Sequence, residues 1–314
     1  MDIPPAVFTM TRRAAIASAL GLCVVPSLAR ASEDDEAEIA SIRARGREAG
    51  LGDLSVEKND DYLAIGDSPE AFRKKALQLC LGLARDFLKH FGDKGFRVEK
   101  PRGRMSLVVL SGRAEFTAYL GEDLGPDVAG IYDPDTNRLL LFDNRSGAAN
   151  PKAAKTNTMV LFHEATHQLT FSAGLLDKGS DVPLAIAEGL GTYGEVRSVD
   201  GRMKVGQVNH ERLNPLVPRN APRKFKPTLT SVSTLIGNDQ YLESKETEQI
   251  AYSECWLLVH FLMNNKERLP QFRAYLKAIR TRQDASARLD DWAKAFGDPK
   301  KMDLELQAYA VKLK

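Results

Sequence analysis

Five consecutive residues, His163-Glu164-Ala165-Thr166-His167, hold the clearest chemistry in this chain, because they spell HExxH. On a helix, positions i and i+4 project from the same face. Both imidazoles then reach one zinc ion, and Glu164, beside the first of them, reaches an attacking water as general base. The spacing means little without a helix. The flanks supply one: Asn157 to Phe162 (NTMVLF) and Gln168 to Phe171 (QLTF) hold no Gly or Pro, and Val160, Leu161, Ala165 and Leu169 recur at helical spacing.

Two histidines do not complete a catalytic zinc site, which usually has three protein ligands and an open position. Residues 183–195 read PLAIAEGLGTYGE. Pro183 suits the first turn of a helix, and Leu184, Ala187, Leu190 and Gly191 form a lightly apolar face. Glu188 stands alone in the middle of that segment, 21 residues after His167. The interval allows one helix to end, a loop to turn at Ser172 to Asp181, and a second helix to begin. Glu188 is the expected third ligand; the alternative is a solvent-facing glutamate.

HExxH followed by a glutamate in an E-G-x-x-x-Y setting resembles the gluzincin metallopeptidases. The closer resemblance is to the bacterial domain-of-unknown-function family 1570. It rests on HEATHQL, the run from Pro183 to Tyr193, and AYSECWLLVHFL from Ala251 to Leu262, and extends loosely over residues 100–280. One departure is Ala185, where such proteins often carry a tryptophan. The resemblance implies a zincin-like α+β fold and zinc hydrolysis, and it names no substrate. It also favours Tyr252 as the group that assists zinc in stabilising the oxyanion, with His210 as the rival. In zincins the edge strand before the active-site helix pairs with the substrate backbone, a role that would fall here to residues 129–143.

Zinc-ligating histidines usually donate their second N–H to a carboxylate or carbonyl. Glu195, two helical turns beyond Glu188, and Thr192, one turn beyond, are the candidates for that support. His260, mid-way along an apolar run, reads as a core histidine. His90, in FLKHFG, reads as a helix-end residue that complements the dipole.

The elements that must position these residues are readable in part. Tyr62 to Gly66 is a short strand and Met105 to Leu110 a buried one, and Ser68-Pro69-Glu70 opens a helix reaching about Phe91. A short helix spans Ala114 to Leu120. Two short strands flank Asp133-Pro-Asp-Thr-Asn, a hairpin signal. Residues 210–228, with four prolines and five basic residues, read as a loop. Helices follow at about 248–264, 268–280, 286–296 and 302–313. The expected division is a signal segment 1–31, an α+β lobe 32–173 with a small mixed sheet and the HExxH helix, and a mostly helical lobe 174–314.

The N-terminus has the features of an export signal. Arg12 and Arg13 precede a short apolar stretch from Ala14 to Leu28, and Ala29-Arg30-Ala31 is a small-x-small cleavage sequence. The paired arginines suggest twin-arginine export, hence a periplasmic or extracellular protein. Removing residues 1–31 takes away three arginines and one aspartate, leaving 41 basic and 41 acidic residues. That neutrality lacks the footprint of a nucleic-acid binder, and no later stretch has the length of a membrane span. Cys80 and Cys255 lie in apolar runs and read as buried free thiols, although export would allow a disulfide.

The expectation is therefore an exported zinc metallopeptidase acting on a peptide or protein. His163, His167 and Glu188 hold the metal, Glu164 is the general base and Tyr252 the oxyanion donor. The rival readings are a zinc-bearing scaffold without turnover and an amidase acting on a cell-wall amide. Retention of Glu164, which zinc binding alone does not need, argues against the scaffold.

Overall fold

A central strand that is apolar at nearly every position, Met105 to Leu110, cannot face water on either side, and the sheet is built around it. The computed structural model describes residues 27–126, 128–144, 151–196, 204–222 and 224–314. Residues 1–26, with the arginine pair and most of the expected signal, lie outside the described residues. The first helix, α1, runs Ser27–Glu48. Strands β1 (Ser55–Lys58) and β2 (Tyr62–Gly66) follow, then α2 (Glu70–Asp93), β3 (Met105–Leu110), α3 (Arg113–Leu120), the hairpin β4 (Gly130–Asp133) and β5 (Arg138–Phe142), and α4 (Pro151–Ser172). The fold is α+β, and the five strands lie in the order β1-β2-β3-β5-β4. The inner strands β2, β3 and β5 are parallel, while β1 and β4 run antiparallel at the edges. Parallel neighbours need crossover connections. The two crossovers, β2 to β3 and β3 to β5, contain α2 and α3 respectively.

The chain divides into two compact units: the chain up to Ala84 with Lys100–Gln168, and Arg85–Glu99 with Leu169–Lys314. In the first, a missing side chain sets the approach of α4 to the sheet. A Cβ on Gly130 in β4 would stand 2.6 Å from Val160 Cγ1. The glycine lets α4 lie directly on the edge strand, three residues before the first histidine.

The second unit is helical: α5 (Leu184–Gly194), α6 (His210–Leu213), α7 (Val232–Gly237), α8 (Gln240–Glu243), α9 (Glu248–Asn264), α10 (Arg268–Ile279), α11 (Arg288–Phe296) and α12 (Pro299–Lys312). Helices α5 and α9 form its centre, and every residue of α5 is buried. They touch at Gly189, where a Cβ would meet Cys255 O at 2.7 Å and Val259 Cγ2 at 2.5 Å. Pro183 gives α5 no side-chain cap. The free N–H of Leu184 is met instead by Asp239 Oδ1 at 3.0 Å. Arg288, 4% exposed, ties Asp239 to Asp181 with four hydrogen bonds. The start of α5 is thus fixed by an ionic cluster around the buried Arg288.

Candidate metal centre

His163 and His167 sit one turn apart in the buried part of α4, 0% and 2% exposed. Their rings meet edge to face, with centroids 4.7 Å apart, and the two Nε2 atoms converge to 3.0 Å. Two neutral imidazoles share at most one proton across such a contact. Two ring nitrogens aimed at one point also suit a shared cation. Glu188, on α5 and 2% exposed, supplies the third donor: ligand atoms of His163, His167 and Glu188 all lie within 4.8 Å of one another. A buried carboxylate is costly unless a cation or hydrogen-bond donors compensate it. The N₂O donor set suits zinc and other first-row divalent ions. The group fits a metal ion, and its three members are those read from the sequence.

The surroundings of α4 hold the histidines in place, and sequence reasoning did not find them. Gln168, fully buried, donates through Nε2 to Ser106 O on β3 (3.1 Å) and to Asn137 O in the hairpin turn (2.7 Å). Asn137 has a left-handed backbone, φ 59°, which asparagine tolerates better than most residues. Its Oδ1 accepts the Tyr132 hydroxyl at 2.9 Å. Tyr132 lies nearly parallel to the His167 ring, 17° between planes and 6.4 Å between centroids. The β4–β5 turn thereby clamps the helix beside its second histidine. Asn157 Nδ2, two turns into α4, donates to Asp143 Oδ1 at 3.1 Å, tying the helix to the end of β5. Glu164 is 2% exposed within the same stretch of α4.

On α5, the Thr192 hydroxyl donates to Glu188 O (2.8 Å) and Gly189 O (3.1 Å), inside its own helix. Glu195 is the residue after the helix end, and its carboxylate receives the fork of Arg212: Nε to Oε2 at 3.0 Å and Nη2 to Oε1 at 2.6 Å. Asn209 Nδ2 donates to the same Oε2 at 2.9 Å. The two proposed supporting residues are therefore partnered with the α5 backbone and with an arginine. Arg212 came from a stretch read as a solvated loop; the structure makes it part of α6, capped by Asn209, whose Oδ1 accepts from Glu211 N and Arg212 N. Five basic residues among four prolines gave no signal that one of them is buried.

Tyr252 is 5% exposed and lies one turn into α9. It is one turn before Cys255, whose carbonyl meets Gly189, so it stands near the α5–α9 contact that bears Glu188. Burial, and after it the negative charge of Glu188, push the Cys255 thiol well up. Cys255 and Cys80 are both buried, and neither is in a disulfide among the described residues. His210 instead lines an open groove of about 310 Å³ with Leu213, Asn214, Val217, Arg219 and Lys314.

The two remaining histidines belong to an aromatic cluster. His90 Nε2 pairs with the Tyr193 hydroxyl at 2.8 Å, and His260 Nδ1 with the Tyr309 hydroxyl at 2.9 Å. Burial lowers both to about 4. His260 is the core histidine expected. His90 sits in the last turn of α2 as expected, but burial keeps it neutral, so it brings no positive charge to the helix dipole.

Taken together, an α+β chain presents a buried His-His-Glu group able to bind a metal ion. Residues 157–285 match the family model described as a protein of unknown function, DUF1570. The match runs from Asn157 on α4 past the end of α10, so it contains His163, Glu164, His167, Glu188 and Tyr252. It supports the family to which the motifs pointed. No curated protein matches the chain. Among the described residues no helix is long and apolar enough to cross a membrane.

Proposed function

We propose that this protein is an exported zinc-dependent peptidase of gluzincin type. One observation carries the reading: a buried Glu164 is adjacent in α4 to the histidine whose Nε2 converges with that of His167, in a group completed by Glu188. A metal-binding scaffold has no use for a carboxylate in that position, whereas hydrolysis of an amide needs a base there.

Bound zinc would supply Lewis acidity, acidifying a water and polarising the scissile carbonyl. His163, His167 and Glu188 hold it. Glu164 takes a proton from the attacking water as its oxygen bonds to the carbonyl carbon. It then passes that proton to the amide nitrogen as the C–N bond breaks, so that the leaving group departs as a neutral amine. The Tyr252 hydroxyl donates a hydrogen bond to the developing oxyanion. Export follows from the arginine pair and the cleavage sequence, and it delivers a protein that meets peptide substrates outside the cytoplasm.

The test pairs metal analysis with a digest of a broad peptide library. Purified protein should carry about one zinc per chain, and His163→Ala or Glu188→Ala should remove it. Glu164→Gln should keep the zinc and lose turnover, because an amide preserves the shape but cannot accept the proton. Wild-type hydrolysis by Glu164→Gln, or full zinc in both ligand variants, refutes the assignment.

A further inference from the structure

Arg212 has no role in the chemistry above, yet it is a tightly held cation beside Tyr252. It is 9% exposed, and a guanidinium is left that deep only with its charge compensated. Glu195 provides the compensation through both oxygens, at 3.0 and 2.6 Å. Asn209 fixes the arrangement twice, holding the Arg212 backbone with Oδ1 and the Glu195 carboxylate with Nδ2. The guanidinium carbon then lies 5.7 Å from the centroid of the Tyr252 ring, inside the roughly 6 Å at which a cation over a ring face is attracted. Burial acts to lower the Arg212 pKa, but Glu195 above all, then Tyr252 and Glu188, holds it above the ordinary arginine value. The charge is therefore permanent. Three helices meet in this contact: α5 through its end at Glu195, α6 through Arg212 and α9 through Tyr252.

We propose that Arg212 is a positioning residue that fixes the Tyr252 ring from its face and, by its charge, strengthens the Tyr252 hydroxyl as a hydrogen-bond donor. A cation near a phenol favours loss of its proton, and a more acidic O–H donates more strongly to an oxyanion than to a neutral carbonyl. This inference rests on the oxyanion role proposed for Tyr252. It assigns Glu195 a purpose different from supporting a zinc histidine: Glu195 holds the arginine.

The experiment has one arm that needs neither metal nor turnover. Metal-free protein carrying 3-fluorotyrosine is titrated by ¹⁹F NMR, with the Tyr252 resonance assigned from Tyr252→Phe. In Arg212→Met the Tyr252 ionisation should move up by about one pH unit, and in Arg212→Lys, which keeps the charge, it should stay near wild type. An unchanged Tyr252 ionisation in Arg212→Met overturns the proposal. Because that variant leaves Glu195 buried without its partner, a second one, Glu195→Gln with Arg212→Met, removes both charges together. Its kcat should fall about tenfold with KM unchanged, and the loss should vanish when Tyr252→Phe is already present. A loss of equal size on both backgrounds means that Arg212 acts only on stability, and also overturns the proposal. If wild-type protein hydrolyses nothing, the peptidase reading fails while the ¹⁹F arm still decides whether Arg212 governs Tyr252.

Discussion

Acidification should destabilise the helical unit by an amount traceable to His260. The ring is 4% exposed and packs against Trp256 at 5.0 Å and Tyr193 at 6.1 Å. Nδ1 shares a hydrogen bond with the Tyr309 hydroxyl at 2.9 Å. Burial lowers the pKa from 6.5 to about 4, opposed by a hydrogen bond with the Gly206 backbone and aided by the charge of Lys94. Because the folded value lies below the unfolded one, the unfolded chain takes up the proton first. Stability is full above about pH 6.5, falls as the pH drops towards 4, and loses nothing further below that. Between pH 7 and 4.5 the unfolded histidine gains close to two pH units of protonation that the folded one mostly refuses, which is about 2–3 kcal/mol.

The substitution that isolates this effect is His260→Gln. An amide can still share a hydrogen bond with the Tyr309 hydroxyl, and nothing at the position titrates. Its absolute stability is lower, because the amide fills less of the space between Trp256 and Tyr193. Its loss between pH 7 and 4.5, however, should be about 2–3 kcal/mol smaller than that of wild type. Trp256 and Trp292 are the only tryptophans in the chain, and both lie in the helical unit. Urea unfolding of metal-free protein, followed by tryptophan fluorescence at the two pH values, therefore reads the unit that contains His260. Acid losses that are the same in wild type and His260→Gln would refute the reasoning, since they would mean that the ring is solvated or already protonated at neutral pH.

Tyr252→Phe should lower kcat by roughly 10²–10³-fold with little change in KM, because the hydroxyl acts mainly in the transition state; an unchanged kcat in fully metallated enzyme removes Tyr252 from the mechanism. Gly189→Val should destabilise by about 1–3 kcal/mol and weaken zinc binding at least tenfold in a chelator competition, since the new side chain meets a backbone carbonyl at the residue beside Glu188. A valine variant of wild-type stability and zinc affinity would show that the α5–α9 contact is not what places the carboxylate. Residues 1–35 fused to a folded reporter should direct its export, and replacing Arg12 and Arg13 together by lysine should stop it; continued export with both lysines argues against the twin-arginine route.

Some of this architecture was legible because it repeats along the chain. The histidine pair of the candidate metal site is an i, i+4 relation, which a helix converts directly into convergence, and Glu188 was visible as a single charge in an apolar segment opened by a proline. Strands β2 and β3 and helices α2, α9, α10, α11 and α12 showed their apolar periodicity in the same way and fall within a few residues of their expected bounds. Elements too short to repeat did not show it. Strand β1 reads SVEK, with no apolar alternation to mark it. Helices α6, α7 and α8 span four to six residues, below the length at which a face can be recognised.

The residues that hold the site in place were hidden for a different reason: their meaning lies in partners distant in sequence. Gln168 follows HEATH directly, yet nothing local says that its amide bridges Ser106 and Asn137, 62 and 31 residues back. Arg212 looks like any basic residue in a proline-rich stretch until Glu195, 17 residues earlier, is found opposite it. Both cases follow one rule. A metal ligand set can be written into local spacing because the helix supplies the geometry. A buried polar group that braces it must find a partner to offset its desolvation, and any nearby segment of the fold can provide that partner. The bracing groups therefore have no fixed spacing to read, although Gln168 and Arg212 are the ones that hold His167 and Tyr252 where the proposed chemistry needs them.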